Sequence, residues 1–260
     1  MFASFLPKFI WKHVIGYLQL RDILNMMLTC KQFDSLMDDD DWKTCFMDGR
    51  SSDIVIVRCK TKRMNNFWKH AIHHHVVCND IDDALSTIES HNKIIKRFSK
   101  SKFVYYKVFI RSGYHKMIVN NENCCHRFNY ANCSIEILGN NHPTISIIDR
   151  SEEGMLIVCP QYLSMKDIIF DGNILDFCKH NYDDIDNNIT ASTLHISNCS
   201  FVGTKVSMDS IDNIIIENCV FTNASQLDIK DNPIPNYNIT GNTFADGCNV
   251  DIGSIKYIVK

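Results

Sequence analysis

Three aspartates near the C-terminus have the residue type and the spacing that acid–base chemistry needs. Asp228 and Asp251 occupy alternate positions of two short apolar segments 23 residues apart, and Asp209 follows an earlier segment of the same kind. Equivalent positions of a repeat come together in space, so we expect Asp228 and Asp251 to be neighbours. A pair of carboxylates at a set distance is what glycoside hydrolysis requires. The alternative is that they are solvated residues on the outer face of a strand.

A second candidate for chemistry is a stretch rich in possible metal ligands: His70, His73, His74, His75 and Cys78. On a helix, His74 and Cys78 would share one face because they are four residues apart. Zinc sites, however, usually draw on two separated pairs of ligands. The other Cys/His cluster, at 124–126, contains adjacent cysteines that point in different directions. We therefore predict no metal site and no cofactor.

The apolar segments belong to a repeat that organises the second half of the chain. Each copy has two alternating apolar residues, then Asn or Gly, then Cys or Asn, and a final Phe or Leu. The copies are Leu194–Phe201, Ile214–Phe221 and Tyr237–Phe244, with an earlier one at Ile168–Leu175 and a weaker one at Ile135–Asn140. Alternation at period two indicates a strand with one buried face. Asn and Gly tolerate the positive φ of a sharp turn, so they end that strand.

A second short strand follows each of the three clearest copies. Its apolar residues include Val206, Leu227 and Val250, spaced by 21 and 23 residues. A repeating strand–turn–strand unit without a helix predicts a coil of parallel strands whose equivalent residues form columns along the axis. The expected columns are Phe170/Ile196/Ile216/Ile239, Asn198/Asn218, Cys199/Cys219 and Leu175/Phe201/Phe221/Phe244. In such columns an Asn amide can bond the Asn of the next coil.

On these residues the chain resembles a right-handed parallel β-helix of the pectin-lyase-like class. Ile81–Ile88 is predicted to be a short amphipathic helix, and Lys107–Ile118 supplies a strand, Gly113-Tyr114 and another strand, as at the start of that family's coil. The resemblance covers residues 80–260 and implies a mainly β fold, a single-stranded solenoid. The class contains polysaccharide lyases and hydrolases as well as non-catalytic recognition domains, so it leaves the activity open.

Composition narrows the class of protein. The 260 residues are 45% hydrophobic and 22% charged, which predicts one or two globular domains. A net charge of −3 argues against a nucleic-acid-binding protein. No segment approaches the roughly 18 apolar residues of a membrane span. We find no signal peptide near Met1, so we expect the twelve cysteines to be reduced and the protein to be cytoplasmic.

Residues 6–46 are predicted to form two or three short helices. Leu6-Pro7 opens a helical pattern, Asp22 precedes Ile23-Leu24, and Cys30-Lys31-Gln32-Phe33 follows before Trp42. About 40 residues build little core by themselves, so this unit should rest on a partner or on the next domain.

The order of these residues resembles the F-box, although Lys8 replaces the usual acidic residue and Phe33 the more common Trp. The resemblance implies binding to the Skp adaptor of a cullin-RING ubiquitin ligase. The contact residues it implies are Leu6, Pro7, Phe9, Ile10, Val14, Leu18, Ile23, Leu24 and Leu28. The alternative is a helical cap on the β-helix, in which these side chains are core.

Together the resemblances imply an F-box-like domain at 1–48, a linker at 49–79 and a β-helix at 80–260. They imply a non-catalytic substrate-recognition adaptor of a Skp–cullin–F-box ubiquitin ligase, in which the F-box binds Skp and the β-helix binds a target protein. Two alternatives stay open. One is a carbohydrate-active enzyme that depends on Asp228 and Asp251, and the other is a structural or interaction β-helix.

Overall fold

A computed structural model describes most of the chain after residue 53 and a few residues before it. The described residues are 10, 14, 38–40, 43, 54–59, 61–65, 67–98, 103–119, 125–127, 133–149, 155–172, 174–178, 192–230, 236–253 and 255–258. The chain divides into two compact units, Met1–Ser51 with Val57–Val76, and Ser52–Ile56 with Val77–Lys260.

Strands dominate the described residues. Two helices are described along their length, α1 (Phe67–His73) and α2 (Ile81–Phe98), and the isolated described residues 10, 14, 39, 40 and 43 are also helical. The strands are β1 (Ile54–Cys59), β2 (His75–Cys78), β3 (Val104–Ile110), β4 (Tyr114–Val119), β5 (Cys125–Arg127), β6 (Cys133–Gly139), β7 (Thr144–Asp149), β8 (Met155–Val158), β9 (Tyr162–Lys166), β10 (Ile169–Asp171), β11 (Ile174–Cys178), β12 (Thr193–Ser197), β13 (Ser200–Val202), β14 (Lys205–Asp209), β15 (Asn213–Glu217), β16 (Val220–Thr222), β17 (Gln226–Ile229), β18 (Asn236–Thr240), β19 (Thr243–Phe244), β20 (Asn249–Ile252) and β21 (Ile255–Ile258). The segment 49–79, expected to be a linker, thus contains β1, α1 and β2.

The strands form three long sheets. Sheet 1 has the order β18-β15-β12-β9-β6-β3-β1-β2, sheet 2 has β19-β16-β13-β10-β7-β4, and sheet 3 has β21-β20-β17-β14-β11-β8-β5. From β3 to β20 the chain visits sheets 1, 2 and 3 in strict rotation, so each group of three strands forms one coil. Neighbouring coils pair in parallel register, whereas β21 pairs antiparallel with β20. The expectation of a mainly β, parallel repeat is confirmed.

Tight turns between the sheets fall where the sequence carries residues that accept positive φ. Between sheets 1 and 2 these are Asp167, Asn198, Asn218 and Gly241, with φ of 59°, 51°, 54° and 66°. Asn and Asp adopt this conformation more readily than other residues with a side chain. One such residue turns the chain from one sheet to the next and lets the next strand start within two or three residues.

The interior of the coil is a column of stacked apolar side chains. Phe170, Phe201, Phe221 and Phe244 stack face to face, with ring centroids 5.3, 4.8 and 4.7 Å apart. We call these four residues the phenylalanine column. Parallel in-register pairing produces it, because equivalent residues of successive coils lie one strand spacing apart.

The structure corrects the expected columns at their first coil. Phe170 pairs with Phe201, and Leu175 pairs with Val206, so neither belongs to the column to which the sequence pattern assigned it. Met165 is the residue that pairs with Ile196. The coil has two tight turns five residues apart, at Asp167 and Gly172, and both carry turn-forming residues. The repeat pattern was therefore aligned on the wrong turn.

The expected asparagine column is also corrected. Asn198 and Asn218 occupy equivalent turns, but both side chains are exposed, so their contribution is the backbone conformation. Side-chain bonding to the coil comes instead from Asn242, one residue after the turn. Its oxygen accepts a hydrogen bond from Cys219 N at 2.8 Å and its amide donates to Ile216 O at 2.8 Å. Cys199 and Cys219, which directly follow the two turn asparagines, are buried in the core as expected.

Each of the last three coils contains a third strand that the sequence pattern did not predict. The expected second strands are found as β14, β17 and β20, and the final Phe of each copy lies on β13, β16 or β19. These sheet 2 strands are two or three residues long. Period-two alternation cannot show in so short a segment, so sequence alone indicated only a turn.

Helix α2 covers the first coils and is much longer than the predicted Ile81–Ile88 segment. It begins where the Asp80 carboxylate accepts the backbone N–H of Asp83 at 2.8 Å, an N-cap. Its first half buries Ile81, Leu85 and Ile88 in the same core as the strands.

The second half of α2 depends on tertiary contacts. The buried Asn92 accepts a hydrogen bond from Tyr106 Oη of β3 at 2.8 Å and donates to Cys133 Sγ of β6 at 3.4 Å. These anchoring residues are polar, so they leave no trace in the spacing of apolar residues along the helix. The predicted helix therefore ends at Ile88, one turn after Leu85.

Candidate functional site

The outer faces of the sheets are where this fold presents chemistry, because alternate strand residues point away from the core. Outward positions of sheet 2 carry mostly small or β-branched uncharged residues, such as Thr144, Ser200 and Val220. Sheet 2 also carries Lys116 and Asp171, which lie on the two sides of Ser146, but the larger groups of titratable side chains are on sheets 1 and 3.

On sheet 3, polar residues of four successive coils lie in one row. Asp176 pairs with Ser207, Ser207 with Asp228, and Asp228 with Asp251. We call Asp176, Ser207, Asp228 and Asp251 the acidic row. The predicted vertical neighbours Asp228 and Asp251 are indeed in register. Next to the row, Lys230 Nζ lies 3.2 Å from Asp209 Oδ2, so Asp209 is part of an ion pair.

Asp176 is the member of the acidic row that sequence reasoning missed. The sequence pattern places Leu175 in one column with Phe201, so it does not show Asp176 as an outward residue beside Ser207. Aligning Leu-Asp-Phe of β11 with Val-Ser-Met of β14 would have placed Asp176 outward beside Ser207. Burial raises the pKa of the Asp176 carboxyl above its usual range, and the negative charge of Asp228 adds to this. A hydrogen bond with Ser207 and the charges of Lys205 and Lys230 oppose the rise.

This raised pKa predicts how stability changes with pH. The folded state holds the Asp176 proton more tightly than the unfolded state, so stability falls as pH rises through the folded pKa. Asp176→Asn, which imitates the protonated acid, should raise the thermal unfolding midpoint at pH 7 by about 2 °C. At pH 3 the parent carboxyl is protonated in both states, and the gain should vanish. An equal gain at both pH values would show that ionisation is not the cause.

On sheet 1, a hydrogen-bonded network of polar side chains crosses several coils. His195 Nε2 lies 2.8 Å from Glu217 Oε1, and His195 Nδ1 lies 3.4 Å from Tyr162 Oη. Lys107 Nζ lies 3.1 Å from Glu136 Oε2 at the other end. We call Glu136, Tyr162, Ser164, His195 and Glu217 the sheet 1 polar site.

Ser164 has the smallest side chain of this site. It pairs with Glu136 on one side and with His195 on the other, so all three point outward in one row. Ser164 is nevertheless only 8% exposed. Tyr162, which hydrogen-bonds to Ser164, and the larger neighbours in the row shield it from solvent.

Tyr162 is the side chain on which the charges of both glutamates of the site act. Burial raises the pKa of its phenol, a hydrogen bond with Ser164 lowers it, and the charges of Glu136 and Glu217 raise it further. Tyr162 is thus protonated at neutral pH and can donate its O–H. The carboxylates of Glu136 and Glu217 both act on this phenol. The repeat pattern predicts no strand at 162–166, so the sequence does not reveal Tyr162 as a member of the site.

Most of the predicted Skp-binding residues lie outside the described residues. These are Leu6, Pro7, Phe9, Leu18, Ile23, Leu24 and Leu28. The two that are described, Ile10 and Val14, are both helical and four residues apart. Val14 is 37% exposed.

In the same unit, two residues of the predicted F-box-like domain contact Trp68 of the segment 57–76. Trp68 N donates to Asp39 Oδ1 at 3.0 Å, and Lys43 Nζ lies 6.0 Å from the centroid of the Trp68 ring. His70 Nε2 lies 2.9 Å from Arg58 O, and the His70 and His74 rings are 4.5 Å apart.

The remaining expectations concern metal ligands and membrane-spanning helices. Within the described ranges, no three or more His, Cys, Asp or Glu side chains are grouped as metal ligands. The side chains of the 124–126 cluster lie outside the described residues. None of the described helices is long and apolar enough to cross a membrane.

The fold and its outer faces define a mainly β protein of long parallel sheets, compatible with a β-helix. Comparison with family models, with curated proteins and with solved structures gives no match to this chain.

Proposed function

We propose that this protein is a substrate-recognition adaptor of a Skp–cullin–F-box ubiquitin ligase, acting inside the cell. The observation that carries the proposal is the ordered set Leu6-Pro7, Asp22-Ile23-Leu24 and Cys30-Lys31-Gln32-Phe33 ahead of a parallel coil. In this proposal residues 1–48 bind Skp and the coil binds a target protein.

The architecture of the coil supports the second half of this proposal. We take it to be a right-handed β-helix, because connections between parallel strands adopt that hand in about 98% of cases. Stacked coils of short strands present broad, rigid outer faces, and repeat proteins use such surfaces for binding. The helical Ile10 and the exposed Val14 are compatible with a partner-binding helix.

The first test is a pull-down of the full chain with a purified Skp–cullin pair. The parent should bind, and the Leu6→Ala/Pro7→Ala double variant should lose at least about tenfold in affinity, since it removes two of the side chains that the F-box resemblance assigns to the Skp contact. Tyr237→Ala, at an exposed position of the last coil, is the matched control and should bind like the parent. Cooperative unfolding of each variant confirms that it is folded. A folded parent that does not bind, or a double variant that binds equally, would reject the adaptor function.

A second candidate is a carbohydrate-active enzyme, and the acidic row favours it. Neighbouring coils are about 4.8 Å apart, so the carboxylates of Asp228 and Asp251 lie near the spacing of retaining glycosidases, about 5–5.5 Å. The raised pKa of Asp176 is a property expected of a general acid. If this candidate is correct, the parent cleaves a polysaccharide and Asp228→Asn does not. A chain that neither binds Skp nor cleaves polysaccharides would be the remaining alternative, a structural or interaction β-helix.

A further inference from the structure

We infer that Cys199 and Cys219 form a two-coordinate site for a soft metal ion, Cu(I), inside the coil. The site is independent of the proposed function. The placement of the two thiols in neighbouring coils, the distance that this placement sets between their sulfur atoms, and the backbone groups around them carry the assignment.

The two thiols hold equivalent positions of neighbouring coils. The strands before and after them pair in register, β12 with β15 and β13 with β16, so Cys219 lies one coil above Cys199. Each thiol donates to the carbonyl oxygen two residues earlier, at 3.3 Å from Cys199 and 3.4 Å from Cys219. Each also donates to a carbonyl oxygen of the preceding coil, Met165 O at 3.7 Å and Ile196 O at 3.8 Å. The two side chains therefore have the same conformation.

The spacing of the two sulfur atoms follows from this equivalence. Side chains of the same conformation that are displaced by one coil have their sulfurs one strand spacing apart, ~4.8 Å. Metal–thiolate bonds are about 2.3 Å long, so one ion midway between the sulfurs can bond both in a nearly straight line. A disulfide needs its sulfurs about 2.05 Å apart, which is less than half of that spacing. The pair thus fits a bridging ion better than a disulfide.

The number and the type of ligands select the ion. Structural zinc sites take four ligands. Among the residues that the structure describes, no third His, Cys, Asp or Glu side chain completes a group of metal ligands. Thiolates are soft ligands and favour Cu(I), for which two of them in line suffice. The site departs from the sequence-based prediction of no metal, which rests on zinc-type clusters.

Binding exchanges protons for the ion without a redox step. Two S–H groups release two protons and bind one Cu⁺, which leaves one negative charge shared by both sulfurs. The interaction between the thiols raises the pKa of Cys199 and lowers the pKa of Cys219, and burial raises both. The charges of Asp167 and Glu217 also act against the thiolates.

Backbone groups of the preceding coil favour the charged form. A backbone hydrogen bond at Ile168 lowers the pKa of the Cys199 thiol, and one at Cys199 lowers the pKa of the Cys219 thiol. Ile168 directly follows the turn at Asp167, as Cys199 follows the turn at Asn198. The coil thus supplies the same support to each sulfur, one layer apart.

The test incubates the full isotope-labelled chain with Cu(I) in oxygen-free buffer and then removes loosely bound copper with bicinchoninate. Both thiols are buried, so the ion enters through local opening of the coils and the incubation is long. NMR shifts should appear at the backbone amides of Ile168, Cys199 and Cys219. Zn(II) should give no shifts there, because the pair offers too few ligands. No shifts with Cu(I), or equal shifts with Zn(II), would overturn the inference.

Variants separate this pair from the other thiols among the twelve cysteines. Cys199→Ala/Cys219→Ala should retain one Cu(I) per chain fewer than the parent. Cys133→Ala/Cys248→Ala is the matched control, since it removes two buried thiols from coils that are not neighbours, and it should retain as much as the parent. An equal loss in the control, or no loss in the first variant, would reject the site. The amide shifts of the parent decide the question even if a variant does not fold.

Discussion

Phe221→Ala is expected to lower the free energy of unfolding by about 3–5 kcal/mol. Phe221 is 1% exposed and lies between Phe201 and Phe244 in the phenylalanine column, with ring centroids 4.8 and 4.7 Å away. The variant loses the buried ring and two stacking contacts. It also leaves a cavity that a ladder of backbone hydrogen bonds on both sides prevents from closing. Urea unfolding followed by circular dichroism measures the change.

The matched control for this variant is its chain neighbour. Val220→Ala on the same strand changes a side chain that is 38% exposed, so it should cost less than about 1 kcal/mol. If both variants cost the same, the phenylalanine column does not stabilise the coil in the way its geometry indicates.

Gly139→Ala should be nearly as severe, at about 3 kcal/mol or more. A Cβ at position 139 would overlap the backbone carbonyl oxygen of Asp167 and lie 2.7 Å from Pro143 Cδ. A backbone oxygen cannot move aside as a flexible side chain can, so β6 and the turn after β9 would have to separate. Denaturant unfolding of the variant beside the parent measures this cost.

Gly247→Ala separates steric overlap from backbone conformation. Gly247 has a φ of +83°, but no atom lies within 4 Å of an added Cβ. Its substitution should therefore cost only about 1 kcal/mol, the price of a positive φ. A Gly139→Ala variant as mild as Gly247→Ala would mean that the close approach between neighbouring coils does not exist.

The parts of the fold that sequence predicted well are those that repeat with a period. Ile196, Ile216 and Ile239 alternate with outward residues on strands long enough to show period two, and they pair in register as expected. The pairing of Asp228 with Asp251 follows from the same repeat. Where the repeat carried two similar turns, at Asp167 and Gly172, the sequence allowed two alignments. Only backbone pairing distinguished them, and the error concealed Asp176.

The sequence by itself determined that the fold is mainly β and repetitive. Alternating apolar residues and turn-forming Asn, Asp and Gly recur at regular spacing, and each repeat buries its inner face by stacking in parallel on the next. The tertiary structure alone decided the short strands of sheet 2, the second half of α2 and the sheet 1 polar site. Each of these depends on contacts between distant segments, such as Tyr106 with Asn92 or His195 with Glu217. Such hydrogen bonds leave no period in the chain, because the two partners meet only after the coils have stacked.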